Sequence, residues 1–220
     1  MCIRDSYHTS TGLAATEALA ISNAKGRVGE VHWSRGRLAW VGVDGHIRTN
    51  AKQLTSGRGR DQSFSFSPNG RWIAYIRFPD PNSSGNLYVF PSSGGKPRLL
   101  QRSVSLDDPA WSPDGKWIAF MRYAGGLRIF VVPVGGGAAK EITKSDSFGA
   151  AWSPDGKWIA YSGAGLHLVH PDGTGDRRIA RGSIETVDWS PSSKQLAFAT
   201  TGGVVEVVDA TGAHLRRLSG

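Results

Sequence analysis

The stretch Trp111–Phe120 reads WSPDGKWIAF, and Trp152–Tyr161 reads WSPDGKWIAY, changed only in its last residue. Weaker copies surround Trp33 (HWSRGRLAW), Phe66 (SFSPNGRWIAY) and Trp189 (DWSPSSKQLAF). The anchor aromatics at 33, 66, 111, 152 and 189 recur about every forty residues, and a period of that size points to a solenoid, an array or a propeller. A chain written this way builds one small unit several times and buries its apolar faces by setting the units side by side.

The rest of the unit repeats as well. A second apolar run follows each phrase: LYVFP (87–91), IFVVP (129–133), LHLVH (166–170) and VVEVVD (204–209). A Gly-rich turn comes next, then a short basic-apolar segment such as KQLTS (52–56), PRLLQ (97–101), KEITK (140–144), RRIAR (177–181) or RRLSG (216–220). Four strand-sized segments separated by turns, with no ten-residue run of helical spacing, predict an all-β chain. The expected architecture is a β-propeller of four-stranded antiparallel blades, five of them visible.

The phrase itself is turn chemistry. In Ser112-Pro113-Asp114-Gly115-Lys116, proline presets φ near −65°, aspartate can bond back to its own backbone, and glycine accepts the positive φ that follows. This predicts a tight hairpin between the anchor strand and the next. Asp114 and Asp155 are then turn residues of their own repeats, not a catalytic carboxylate pair. The segments WIAF and IFVV are apolar at successive positions, as in a strand covered on both faces. Trp72, Trp117, Trp158 and the anchors are expected to fill the space between blades, each burying roughly 150–250 Å².

W-S-P-D-G-K-W-I-A-F followed by L-Y-V-x-P-x-x-G-G-x-P-R-L-L resembles the WD40-like β-propeller repeat of the TolB type. The resemblance covers about residues 24–220. The Gly-His and Trp-Asp dipeptides of eukaryotic-style WD40 repeats are not at the expected places. In TolB itself the resemblance implies a periplasmic six-bladed propeller after a small α/β domain, binding a peptidoglycan-associated lipoprotein. Propellers of this repeat type also serve as recognition or gating domains ahead of serine-peptidase domains, and as extracytoplasmic sensor modules. With five anchors and no small N-terminal domain, the chain is expected to be a truncated form of a six-bladed or larger propeller. Met1–Ser6 (MCIRDS) resembles a translated transposon-end adaptor and is expected to be a cloning or sequencing scar. Residues 7–23, with EALAIS (17–22), are expected to be a linker or the remnant strand of a preceding blade, and 24–220 the propeller.

Composition narrows the function classes. The only cysteine among 220 residues is Cys2, which leaves no disulfide framework and no cysteine metal site. No run approaches the roughly 20 apolar residues of a membrane-spanning helix. The net charge is +8, but no Lys/Arg block exceeds two residues, so a nucleic-acid partner is not favoured. The sequence carries no G-x-S-x-G, H-E-x-x-H or phosphate-loop motif, so no catalytic residue and no cofactor is assigned. His167 and His170 lie three apart in a strand run, on opposite faces, and assign no metal. DPNSSG (80–85) faintly resembles a calcium loop, but its twelfth position is Pro91, where a bidentate Glu is needed.

Function on a rigid scaffold concentrates in loops. One set joins each fourth strand to the next blade: 57–63, 102–109, 144–149 and 181–186. The other joins second and third strands: 42–46, 77–86, 122–126 and 163–165. Both sets are expected at the channel mouth. They supply the candidate binding residues Arg60, Asp61, Arg77, Asp107, Asp108, Arg122, Tyr123, Asp146 and Glu185, a mixed-charge set suited to a protein or peptide segment. The competing reading is that the acids cap turns or accept from nearby backbone N–H groups. The expectation is a monomeric, non-enzymatic binding propeller in the periplasm or another extracytoplasmic compartment of a bacterium. The alternatives are the recognition propeller of a larger enzyme, such as a prolyl-oligopeptidase-type serine peptidase, or the sensor module of an envelope protein.

Overall fold

The computed structural model describes residues 31–49 and 52–219. The expectations for Met1–Ser6, for 7–23 and for EALAIS fall outside the described residues. Every regular element among those described is a β-strand, and the chain is an all-β propeller with five antiparallel blades. It divides into two compact units, Met1–Arg102 and Ser103–Gly220.

The first unit holds two blades. Blade 1 consists of β1 (Val31–Ser34), β2 (Arg37–Val41) and β3 (Ile47–Thr49), in the order β1-β2-β3. Blade 2 consists of β4 (Arg60–Phe66), β5 (Trp72–Phe78), β6 (Gly85–Pro91) and β7 (Arg98–Val104), whose end crosses the division. The second unit holds blade 3, with β8 (Ala110–Trp111), β9 (Trp117–Tyr123), β10 (Leu127–Pro133) and β11 (Lys140–Glu141). Blade 4 follows with β12 (Phe148–Trp152), β13 (Ile159–Gly163), β14 (Gly165–Val169) and β15 (Arg177–Ala180). Blade 5 is β16 (Ile184–Trp189), β17 (Gln195–Thr200), β18 (Val205–Asp209) and β19 (Arg216–Ser219).

The expected four strands per blade hold in blades 2 to 5, whereas blade 1 shows three among the described residues, with Arg48 and Gln53 forming only an isolated bridge. A threonine stands at this edge. The Ile47 N–H donates 2.8 Å to the Thr55 hydroxyl, so a side chain occupies the acceptor place of a backbone carbonyl. Blade 3 repeats this, with Ile129 N–H donating 3.0 Å to Thr143 Oγ1, and its fourth strand is only two residues long. Blades 2 and 4 carry Gln101 and Ala180 at that place; the fourth strand runs on past Gln101 in blade 2 and reaches Ala180 in blade 4.

The S-P-D-G-K hairpin forms as its residues dictate. The Gly115 N–H donates to the Ser112 carbonyl at 2.8 Å, and Gly115 takes φ +69°, the region glycine tolerates best. The Ser112 hydroxyl donates to Asp114 Oδ1 at 2.6 Å and accepts from Trp117 N at 2.9 Å, while Lys116 N donates to the same Oδ1 at 3.0 Å. Ser153 with Asp155, and Ser67 with Asn69, repeat the arrangement.

The core lies between successive blades. In the first unit Val41 and Ile47 of blade 1 pack with Phe64, Tyr75 and Phe90 of blade 2. In the second, Met121 and Ile129 of blade 3 pack with Ile159 and Tyr161 of blade 4, and Leu166 and Leu168 of blade 4 with Leu196 and Phe198 of blade 5. Each such side chain contributes roughly 1.5–3 kcal/mol on leaving water.

One expectation needs correction. Trp72 and Trp117 do not fill the space between blades; they are 36% and 39% exposed. Each opens its strand beside the hairpin and faces a proline across the ladder, Trp72 against Pro91 and Trp117 against Pro133, so it covers a blade end rather than a blade face. Trp158 is half-buried and stacks on His170 at 3.8 Å between ring centroids. The anchors do reach inward: Trp111 and Trp189 are each 8% exposed, although Trp33 stays 39% exposed.

Candidate functional site

In the first unit, Asp61 on β4 sits directly opposite Arg77 on β5. Asp61 is fully buried. Arg77 Nε and Nη2 donate to its two carboxylate oxygens at 2.6 and 3.0 Å, and the Thr55 hydroxyl donates to it as well. Its backbone N–H donates to the Gly45 carbonyl at 2.7 Å. A buried carboxylate costs several kcal/mol unless paired and hydrogen-bonded, and here each oxygen is held. The group therefore latches the start of blade 2 to the third and fourth segments of blade 1. Arg77 also gives Nη1 to the Ser56 carbonyl at 3.1 Å, and exposed Arg60 gives Nη2 to the Val43 carbonyl at 3.3 Å.

In the second unit, backbone bonds bring the two loop sets to one end of the blades. Ser105 N donates to the Met121 carbonyl at 2.8 Å, and Ser147 N to the Leu127 carbonyl at 3.0 Å. Asp107 accepts from Gly149 N at 3.0 Å through Oδ2 and from Asp108 N at 2.9 Å through Oδ1, tying the loop before blade 3 to the start of blade 4. Asp146 accepts from Leu127 N at 3.0 Å and from Arg128 Nη1 at 2.9 Å.

Two candidates point outward instead. Tyr123 is 74% exposed at the end of β9. Glu185 is exposed on β16 with no ion-pair partner among the described residues. Arg122 lies flat on the blade, its guanidinium carbon 4.0 Å from the Phe130 ring centre, and has no carboxylate partner among the described residues. Such a cation–π contact contributes about 0.5–1 kcal/mol and leaves the N–H fork available at its edge.

The sequence reading missed two rim residues, Leu106 in the loop before β8 and Phe148 at the start of β12, both exposed. The available signal was an apolar side chain inside an otherwise polar loop, SLDD and SDSFG. Asp107 joins them, since its carboxylate bonds Gly149, the neighbour of Phe148. The second unit's loops therefore expose Leu106, Tyr123 and Phe148, while Asp107 and Asp146 are engaged by hydrogen bonds.

His167 and His170 have separate partners: His167 Nδ1 lies 3.2 Å from Asp176, and His170 Nδ1 lies 2.9 Å from the Lys157 carbonyl. No group of three or more His, Cys, Asp or Glu able to hold a metal occurs among the described residues. In the 80–85 loop Asp80 caps its own turn, accepting from Asn82 N at 3.1 Å. No helix among the described residues is long and apolar enough to cross a membrane.

The TolB beta propeller domain model matches residues 41–220, which carry four of the five anchors and all but the first strands of blade 1. The chain belongs to the TolB β-propeller family. Solved structures agree on the fold. A putative TolB from Agrobacterium tumefaciens is similar at 21% identity and a TM-score of 0.68, over 85% of this chain and 75% of that one. TolB from Acinetobacter baumannii is similar at 18% identity and a TM-score of 0.63, over 93% of this chain and 57% of that one. An oligogalacturonate lyase in complex with manganese shares the fold at 15% identity and a TM-score of 0.64, over 83% of this chain and 61% of that one. No curated protein sequence matches the chain. This chain thus spans little more than half of the Acinetobacter TolB, and the same blade architecture occurs in a lyase.

Proposed function

We propose that this TolB-family propeller is a non-enzymatic module that binds a protein or peptide segment in the extracytoplasmic space of a bacterium. The observation that carries the reading is the family match across nearly all the blades, together with loops that present exposed contact groups. Arg122, Tyr123 and Glu185 form the contact set, joined by Leu106 and Phe148. Tyrosine suits this role because it offers a large rigid surface with a polar tip at little entropic cost. Asp107 and Asp146 serve the second unit's rim by holding its loops, since their oxygens are engaged by Gly149 and Arg128, and Asp61 holds the loop before blade 2 in the first unit through Arg77. Asp108 and Arg60 flank these loops.

The test is a binding titration against a purified peptidoglycan-associated lipoprotein, the partner class that the family resemblance implies. The double variant Tyr123→Ala/Phe148→Ala is expected to weaken binding at least about tenfold, which is about 1.4 kcal/mol, with an unchanged melting temperature. Saturable binding that ignores both substitutions would remove the rim from the reading. No binding to the lipoprotein would remove this partner.

A further inference from the structure

The repeats act as an internal alignment of one buried position. Tyr75, Phe120, Tyr161 and Phe198 close their copies of the phrase, and the first three face an aromatic ring on the neighbouring third strand: Tyr88, Phe130 and His167. The rings stack with centroids 5.4, 5.8 and 5.1 Å apart. In blade 4 the Tyr161 hydroxyl donates to Asp176 at 2.7 Å. Counting from the Trp72–Pro91 and Trp117–Pro133 pairs, the residues corresponding to Asp176 are Pro97 in blade 2 and Ala139 in blade 3. Phe120 needs no acceptor, so Ala139 suffices beside it. Tyr75 has a hydroxyl but stands in the blade with Pro97, whose side chain can neither donate nor accept.

Tyr75 is fully buried, and its hydroxyl has no hydrogen-bond partner among the described residues. A buried hydroxyl left unpaired forfeits its hydration without a replacement bond, which destabilises the fold. One other enclosed atom shares this condition, Nδ1 of His46, which lies 3.5 Å from Asp61 Oδ2, close enough to feel the charge but too far for a good hydrogen bond. Both residues border one ion pair, Tyr75 through its ring and His46 through Nδ1. The Arg77 guanidinium carbon is 5.4 Å from the Tyr75 ring centre, and Arg77 holds Asp61.

We propose that an ordered water, held between blades 1 and 2 beside the Asp61–Arg77 pair, completes the Tyr75 hydroxyl and takes His46 Nδ1 as a further contact. The hydroxyl is enclosed, which restricts the ligand to something very small. A water both donates and accepts, and two to four polar partners are what a buried water needs. In blade 4 the protein supplies the acceptor itself, as Asp176. In blade 2 solvent supplies it, and the water becomes part of the junction that the Asp61 latch already forms.

The experiment compares Tyr75→Phe with Tyr161→Phe, which removes a hydroxyl of known partner. Tyr161→Phe is expected to lower the melting temperature by about 2–4 °C. Tyr75→Phe is expected to lower it too, because the water would lose a partner. An unchanged or raised melting temperature for Tyr75→Phe would mean the hydroxyl was unpaired and would overturn the proposal. A high-resolution crystal structure of the unsubstituted chain gives an independent reading if that variant fails to fold. A water at hydrogen-bond distance from Tyr75 Oη supports the site, and a protein group in that place, or nothing, sinks it.

Discussion

The indole N–H of Trp152 donates to the carbonyl of Ala110, 3.0 Å away, in the preceding blade. Ala110 is the residue before the previous anchor, Trp111. One repeat later, Trp189 Nε1 donates to the carbonyl of Ala151 at 3.0 Å, the residue before Trp152. Each of these anchors therefore reaches back to the first strand of the blade before it, adding a directional bond to an apolar junction. Trp152→Phe keeps most of the apolar area but leaves the Ala110 carbonyl short of a donor. The expected loss is about 1–2 kcal/mol, read as a lower urea midpoint with an unchanged slope. Trp117→Phe, at an exposed blade end, is expected to change stability by under about 0.5 kcal/mol. Equal losses at both positions would remove the distinction between anchor and end-cap tryptophans.

The Asp61–Arg77 pair predicts an asymmetry. Arg77 retains a little solvent access, with 16% of its side chain exposed, while Asp61 has none. Arg77→Ala leaves a buried carboxylate with Thr55 as its side-chain hydrogen-bond donor and His46 Nδ1 3.5 Å away, and should cost about 3–5 kcal/mol. Asp61→Asn removes the buried charge, keeps an acceptor for Thr55 or Arg77, and frees Arg77 to turn toward water. It should cost less. Chemical denaturation of both variants decides the order, and a larger loss for Asp61→Asn would show that the arginine is the group that cannot tolerate isolation.

The hairpin acids predict a pH effect. The hydrogen bonds from Ser112 and then from Lys116 N hold the Asp114 carboxyl below its ordinary range, against a smaller opposing effect of burial. A carboxyl depressed in the folded state adds stability that is present above its unfolded value, about 3.9, and lost as pH falls through the folded value. The contribution should therefore fade below about pH 4. Asn69 stands at this place in blade 2 and accepts the same backbone bond without titrating. Asp114→Asn should fold normally and soften the acid side of the stability profile. A profile identical to the unsubstituted chain down to pH 2 would count against this.

Ser193 takes φ +60° where Gly115 and Gly156 sit in other blades. A non-glycine residue there costs about 1–2 kcal/mol. Its hydroxyl returns part of that cost by accepting from Asp155 N at 3.0 Å, linking the blade 5 hairpin to that of blade 4. Ser193→Ala keeps the strain and loses the bond, so it should be less stable than the parent by about 1 kcal/mol. Ser193→Gly loses the bond and the strain together and should stay near the parent. Melting curves of the two variants test this, and Ala equal to Gly would show that the conformation carries no strain.

The sequence by itself determined the blades. A repeated phrase of anchor, serine-proline turn and apolar run states where strands begin and end, because turn geometry and strand length are local properties of a few residues. It also marked the loops from which the candidate residues come. Only the tertiary structure decided what those residues do. Asp61, Asp107 and Asp146 look alike in sequence, as acids shortly before an anchor. Folding buries the first against Arg77, bends the second onto Gly149, and pairs the third with Arg128. The tryptophans divided in the same way: Trp111 and Trp117 sit six residues apart in one phrase, yet one is enclosed and the other stands at the rim of the blade. The partners of the three acids lie 16, 42 and 18 residues away in the chain, on an adjacent strand or in the neighbouring blade, and no local pattern carries that information.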